Sequence, residues 1–271
     1  MALHLKYKGQ TGVPVEVEGL TPTALPGMSL AEIEKQPIFH GNQKLPLAEF
    51  FDISGDAGDL RMEWQGDLAG VHWIGTKMSE GEVHVTGNVG RHVGSEMTGG
   101  EIHVAGDAGD WVGGEMHGGL IHVRGNAGHL VGAAYRGSPR GMTGGVLVVG
   151  GDVGNEVGHT MRRGFLAVGG SCGDFPAINM IAGTMLVFGG CGIRAAAGMR
   201  RGTLAVLGQR PPLLPTFRFG GVFRPAFLLL YLRQLARLNF AFPGDLVDSE
   251  LATYDGDLLT TGRGEVLMRA G

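Results

Sequence analysis

The sequence predicts an all-β solenoid: a right-handed parallel β-helix of about seven 19-residue coils, with an N-terminal cap and a C-terminal helix. Three observations carry this. Methionine recurs at Met78, Met97, Met116, Met142, Met161, Met180 and Met199, in steps of 19, 19, 26, 19, 19 and 19. Each is followed by a glycine and a short strand-like stretch: "EVHVTG", "EIHVAG", "LIHVRG", "VLVVGG", "FLAVGG", "TMLVFG" and "TLAVLG". Glycine fills 51 of 271 positions without a Gly-X-Y period, so it serves sharp corners rather than a collagen helix. A fixed short period of strands with no helical segment marks stacked repeats, and 19 residues fall short of the ~40 that a propeller blade needs.

Along the chain, residues 1–54 lack the repeat and are expected to cap one end, 55–208 form the repeat domain, and 209–271 supply a helix and tail that pack on it. "GDLRMEWQGDLAGVHWIG" suits an irregular first coil. Within the strands, a period of two places Val83, Ile102, Ile121, Leu147, Leu166, Met185 and Leu204 in one inward row. Val85, Val104, Val123, Val149, Val168, Val187 and Val206 form a second row on the same face. The outward row runs His84, His103, His122, then Val148, Ala167, Leu186, Ala205. Its apolar half requires a cover. "PAFLLLYLRQLARLN" offers one: a helix with Pro225 near its first turn and Leu228, Leu232 and Leu235 on one side. A partner protein is the other candidate cover. Asn88, Asp107, Asn126, Asp152 and Ser171 recur just after a corner glycine and predict a turn ladder bonded to neighbouring backbone. Cys172 and Cys191 stand where other coils carry Val89, Ala108, Ala127 and Val153, which predicts stacked, unreactive core thiols.

Composition narrows the function. A net charge of −4 argues against nucleic acid as a general partner. The start lacks a secretory apolar region, and the longest late apolar run, "AFLLLYL", has 7 residues where a bilayer needs ~20. No membrane partner, reduced thiols and a cytoplasmic location are expected. No nucleophile stands with a base and no phosphate loop occurs, so neither catalytic residues nor a metal site are assigned. A zinc shared by the stacked histidines is the alternative to a solvent-side ladder, disfavoured because no carboxylate row is evident on that face. The methionines are read as core packing.

Two features break the beat. Seven extra residues fall within "AAYRGSPRG" and bring Tyr135, Arg136 and Arg140, expected as carrier or partner contacts because insertions in repeat arrays gather on the binding face. Arg162–Arg163 and Arg200–Arg201 follow ladder methionines at one corner, with Arg140 near that edge. They read either as solvated turn charges or as a basic edge for an acidic partner or ligand.

The units "GTKMSEGEVHVTG", "GSEMTGGEIHVAG" and "GGEMHGGLIHVRG", the bulge "YRGSPRGMTGG" and the tail "YDGDLLTTGRGEVLMR" together resemble the C subunit of formylmethanofuran dehydrogenase. The variant most similar is the C subunit of the bacterial formyltransferase/hydrolase complex, chosen because Arg outnumbers Lys. The resemblance covers roughly residues 50–271. It implies a β-helical, non-catalytic scaffold in a cytoplasmic one-carbon complex that moves formyl groups between tetrahydromethanopterin and a methanofuran-type carrier. The implied partners are a metallohydrolase-like subunit, a formyltransferase subunit and a dehydrogenase-like subunit, with no cofactor bound by this chain itself. A tungsten or molybdenum dehydrogenase, or a domain-positioning module like that of glutamate synthase, are the alternatives. An independent carbohydrate-active enzyme would need clustered carboxylates that the rows do not show. Pro139, Ala177 and Ala196 depart from the corner glycine of the family pattern, so those coils are expected to turn differently.

Overall fold

The computed structural model describes residues 2–9 and 11–270. In chain order its elements begin with β1 (Leu3–Tyr7), β2 (Val15–Glu16), α1 (Leu30–Glu34), β3 (Pro37–His40), β4 (Gln43–Pro46) and β5 (Phe51–Gly55). The repeat region gives β6 (Arg61–Gln65), β7 (Val71–His72), β8 (Glu82–Val85), β9 (Glu101–Val104), β10 (Leu120–Val123), β11 (Val146–Val149), β12 (Phe165–Val168), β13 (Thr184–Val187) and β14 (Arg201–Val206). The chain finishes with β15 (Arg218–Phe223), α2 (Leu228–Arg237), β16 (Leu251–Gly256) and β17 (Arg263–Arg269).

Thirteen strands form one mixed sheet in the order β15-β16-β17-β14-β13-β12-β11-β10-β9-β8-β6-β1-β5, and β4-β3-β2-β7 form a second. This corrects the predicted right-handed parallel β-helix. The middle of the large sheet is a parallel ladder, but β5 joins β1 antiparallel at one end, and β16 and β15 add antiparallel strands beyond β17 at the other. Each repeat contributes one short strand to the sheet. The rest of it consists of turns and a column of single bridges from Leu68 through Val89, Ala108, Ala127, Val153 and Cys172 to Cys191. The reason is local: Trp73, Gly75 and Lys77 take φ of 70°, 69° and 60°, and left-handed residues at alternate positions cannot continue a strand.

The register follows the sequence period. Ile102 pairs with Ile121, and Ile121 with Leu147 across the insertion, so seven extra residues leave the ladder unshifted. Both inward rows and all seven repeat methionines are buried in one continuous core. On the opposite face, Val148, Ala167, Leu186 and Ala205 pack under Leu228, Leu232 and Leu235 of α2, which is the cover the apolar stripe required. About 25 cal/mol per Å² of apolar surface removed from water holds that helix in place.

The corner expectation for the last coils is also corrected. Ala177 and Ala196 adopt φ of 57° and 59°, close to Gly132 at 66°, so those coils turn alike despite the left-handed cost of a Cβ. Gly132, ahead of the insertion, supplies the fourth corner rather than Pro139.

Candidate functional site

The expected turn ladder is present. Asn88 Oδ1 accepts from Asp107 N at 2.9 Å, Asp107 Oδ1 from Asn126 N at 2.7 Å, Asn126 Oδ1 from Asp152 N at 2.8 Å, and Asp152 Oδ1 from Ser171 N at 2.7 Å. Glycine precedes each Asx because the acceptor below needs the space: a Cβ on Gly125 would lie 2.2 Å from Asp107 Oδ1. A second ladder runs three positions on, without a sequence pattern as regular as the first. Asp110, His129, Asn155 and Asp174 each accept a backbone N–H from the next repeat, at 2.8–3.0 Å.

The insertion leaves this frame beside Gly132 and divides its three candidate residues. Tyr135 folds back over the earlier repeats, where its ring stacks on Trp111 at 4.7 Å. Trp73 and His92, in the same corner row, stack at 3.8 Å. Tyr135 Oη donates to Ser95 Oγ at 2.7 Å and lies 2.9 Å from His92 Nδ1, while Ser95 Oγ donates to the Trp111 carbonyl at 3.3 Å. Since the phenol proton goes to Ser95, His92 must donate through Nδ1. Gly114, facing Tyr135 Oη, leaves room for the ring. The backbone N–H of Tyr135 is held by Glu115 Oε1 at 2.9 Å.

Both ring groups stay neutral near pH 7. Burial, then His72 and Arg91, pull the His92 imidazole down to about 4. Burial, reinforced by Glu96 and Glu115, pushes the Tyr135 phenol up to about 12. The periodicity of Trp73, His92 and Trp111, 19 apart, was a sequence signal for this stack; the arrival of Tyr135 from the insertion was not.

Arg136 is exposed at the tip of the turn. Arg140 returns to the later repeats and joins Arg162 and Arg163 around an open cavity of about 540 Å³, with Glu115, His117 and Thr143 on its walls. His117 Nδ1 lies 2.6 Å from Thr143 Oγ1. Among the described residues none of these three arginines forms an ion pair, so the cluster is a cationic lining suited to carboxylates. Arg200 and Arg201 lie further along the ladder, at the start of β14, and do not line this cavity. The three insertion residues therefore do not converge on one site.

Two further expectations meet the structure at the strands. Carboxylates do stand beside the outward histidines: Glu82 lies 3.2 Å from His84 and Glu101 lies 3.1 Å from His103. Cys172 and Cys191 are adjacent free thiols, Cys172 buried and Cys191 half-buried. The neighbouring Cys191 thiol, then burial, push Cys172 up, which suppresses its thiolate. No helix among the described residues is long and apolar enough to cross a membrane.

No family model matches the chain. The C subunit of the tungsten-containing formylmethanofuran dehydrogenase 2 of Methanothermobacter thermautotrophicus is 39% identical over 93 residues, covering 33% of this chain and 34% of that protein. The C subunit of the molybdenum-containing formylmethanofuran dehydrogenase 1 of Methanosarcina barkeri is 37% identical over 85 residues, covering 30% and 28%. The chain thus spans about a third of the length of the curated relatives it matches. A chain of the formyltransferase/hydrolase complex from Methylorubrum extorquens, solved in complex with methylofuran, is similar over 99% of this chain and 100% of its own length. Its identity is 36% and the TM-score 0.92. Each of these matches is a chain of a larger assembly. The chain belongs to the family of formylmethanofuran dehydrogenase C subunits.

Proposed function

We propose that this chain is the scaffold component of a cytoplasmic formyltransferase/hydrolase complex working between tetrahydromethanopterin and a methanofuran-type carrier. The observation that carries this is the end-to-end likeness, at 36% identity, to a chain of a complex solved with methylofuran. The interior supports a structural role, since the repeat methionines and both inward strand rows are spent on packing. Residues 1–54 act as the N-terminal cap, 55–208 as the repeat body and 209–271 as the cover. The partners are a metallohydrolase-like subunit, a formyltransferase subunit and a dehydrogenase-like subunit.

Tyr135, Arg136 and Arg140 serve as carrier or partner contacts in this reading, with separate tasks. Tyr135 ties the insertion to the body, while Arg140, with Arg162 and Arg163, offers guanidinium groups to the carboxylates of carrier or partner. The three guanidinium groups fit an anionic group and supply binding.

Purification from the host through a tag on this chain tests the proposal. Co-purification of a metallohydrolase-like and a formyltransferase subunit, without tungsten or molybdenum, is the expected result. Tungsten or molybdenum with a pterin would favour the dehydrogenase reading, which the curated relatives support. A chain recovered alone would overturn both.

A further inference from the structure

A second cleft lies on the opposite face of the sheet, where the cover of α2 runs out. It has a volume of about 740 Å³ and is lined by Glu101, His103, His122, Arg124, Arg237 and Phe240. The outward row explains its charge. In β8 and β9 each histidine has a carboxylate two residues earlier on the same face, Glu82 for His84 and Glu101 for His103. In β10 that position is Leu120, so His122 has no carboxylate of its own.

The surroundings of His122 are cationic. Arg124 follows it in the chain, and Arg237 reaches the cleft from the last turn of α2. Among the described residues neither arginine forms an ion pair within 4 Å. Glu101 is held by His103. Burial, then His103 and Arg124, disfavour the charged form of His122. The carbonyl end of α2 carries partial negative charge, which Arg237 in its last turn offsets. One wall is fixed, because Phe240 is buried and packs on Phe188 at 5.3 Å.

We propose that this cleft receives an acidic side chain from a partner protein of the complex, its carboxylate seated between Arg124 and Arg237 beside His122. The missing glutamate of the third strand is then supplied in trans. The proposal rests on the scaffold reading, since it needs a partner. It concerns a face separate from the Arg140 cavity. Charge complementarity selects the occupant: two unpaired guanidinium groups within a chain of net charge −4 call for local negative charge, not for an apolar segment.

The test uses the tagged complex. In R124A/R237A, one subunit is expected to leave at lower NaCl than from wild type, with about tenfold less of it retained. R124K/R237K should keep that subunit near the wild-type level. Treatment of the lysine variant with a zero-length carbodiimide should join residue 124 or 237 to an Asp or Glu of the same subunit. Unchanged salt retention in R124A/R237A, or no such cross-link, overturns the proposal while an intact complex leaves the scaffold reading standing. If citrate raises the melting temperature of the wild-type complex but not of R124A/R237A, and no subunit is lost, a free small carboxylate occupies the cleft and the partner assignment is wrong. A wild-type chain that brings down no subunit sinks the scaffold reading, and this proposal with it.

Discussion

At the scale of single residues, the chain of donors from His92 through Tyr135 and Ser95 to the Trp111 carbonyl shows how a loop becomes part of the body. Each group has a partner that no local sequence rule pairs with it, since Tyr135 and Ser95 are 40 residues apart. Tyr135→Phe keeps the ring against Trp111 and deletes the hydroxyl, which leaves Ser95 and His92 short of a bond. A loss of about 1–2 kcal/mol in urea unfolding is expected. His92 adds a pH dependence. Its imidazole titrates near 4 when folded against ~6.5 when unfolded, so between those values the unfolded chain binds the extra proton. The stability it contributes is complete above pH ~6.5 and is lost progressively as pH falls toward 4. Urea midpoints taken across that window should decline for the wild type and decline less steeply for His92→Phe. Equal slopes would remove His92 from the account.

At the scale of elements, the strands of the repeat were legible because a period of two inside a period of 19 leaves one solution for each row. So was α2, whose Leu228, Leu232 and Leu235 face the stripe they bury. The first Asx ladder was legible too, its acceptors being written at fixed intervals. What failed was the architecture drawn from these parts. The turn segments carry left-handed backbone at alternate positions, which confines strand to one side of each repeat. The antiparallel strands β5, β15 and β16 come from sequence without any period to find them by. Short α1 does have a local signal, the capping box of Ser29 and Glu32, in which Glu32 Oε2 accepts from Ser29 N at 2.7 Å. The ladder makes its own prediction. Gly125→Ala would press a methyl carbon onto Asp107 Oδ1 and the Gly106 carbonyl, and thermal or urea unfolding should show a loss of roughly 1–3 kcal/mol. Unchanged stability would mean the ladder yields easily.

At the scale of the whole molecule, the chain presents two cationic recesses on an acidic protein, one at the insertion corner and one on the strand face. The sequence pointed to the first through Arg140, Arg162 and Arg163. It could not show that Tyr135 would turn away from them, because the direction in which an insertion folds is set by what its side chains meet. Arg140→Glu/Arg162→Glu/Arg163→Glu places like charge where carboxylates should dock. Under the proposed function, formyl transfer by the assembled complex should fall at least about tenfold while the isolated chain keeps its melting temperature. Unaltered transfer would reduce the cluster to solvated turn charges.

The unshifted register across the insertion has one more consequence. Because Ile121 pairs with Leu147 just as Ile102 pairs with Ile121, separation along this molecule is counted in repeats, not in residues. Every unit advances the chain by one inter-strand step of ~4.8 Å, whatever loop it carries. The protein is in that sense a graduated rule: whatever docks at its two ends is held apart by an integer, and gaining or losing a unit would move them by one graduation while every loop kept its own contacts.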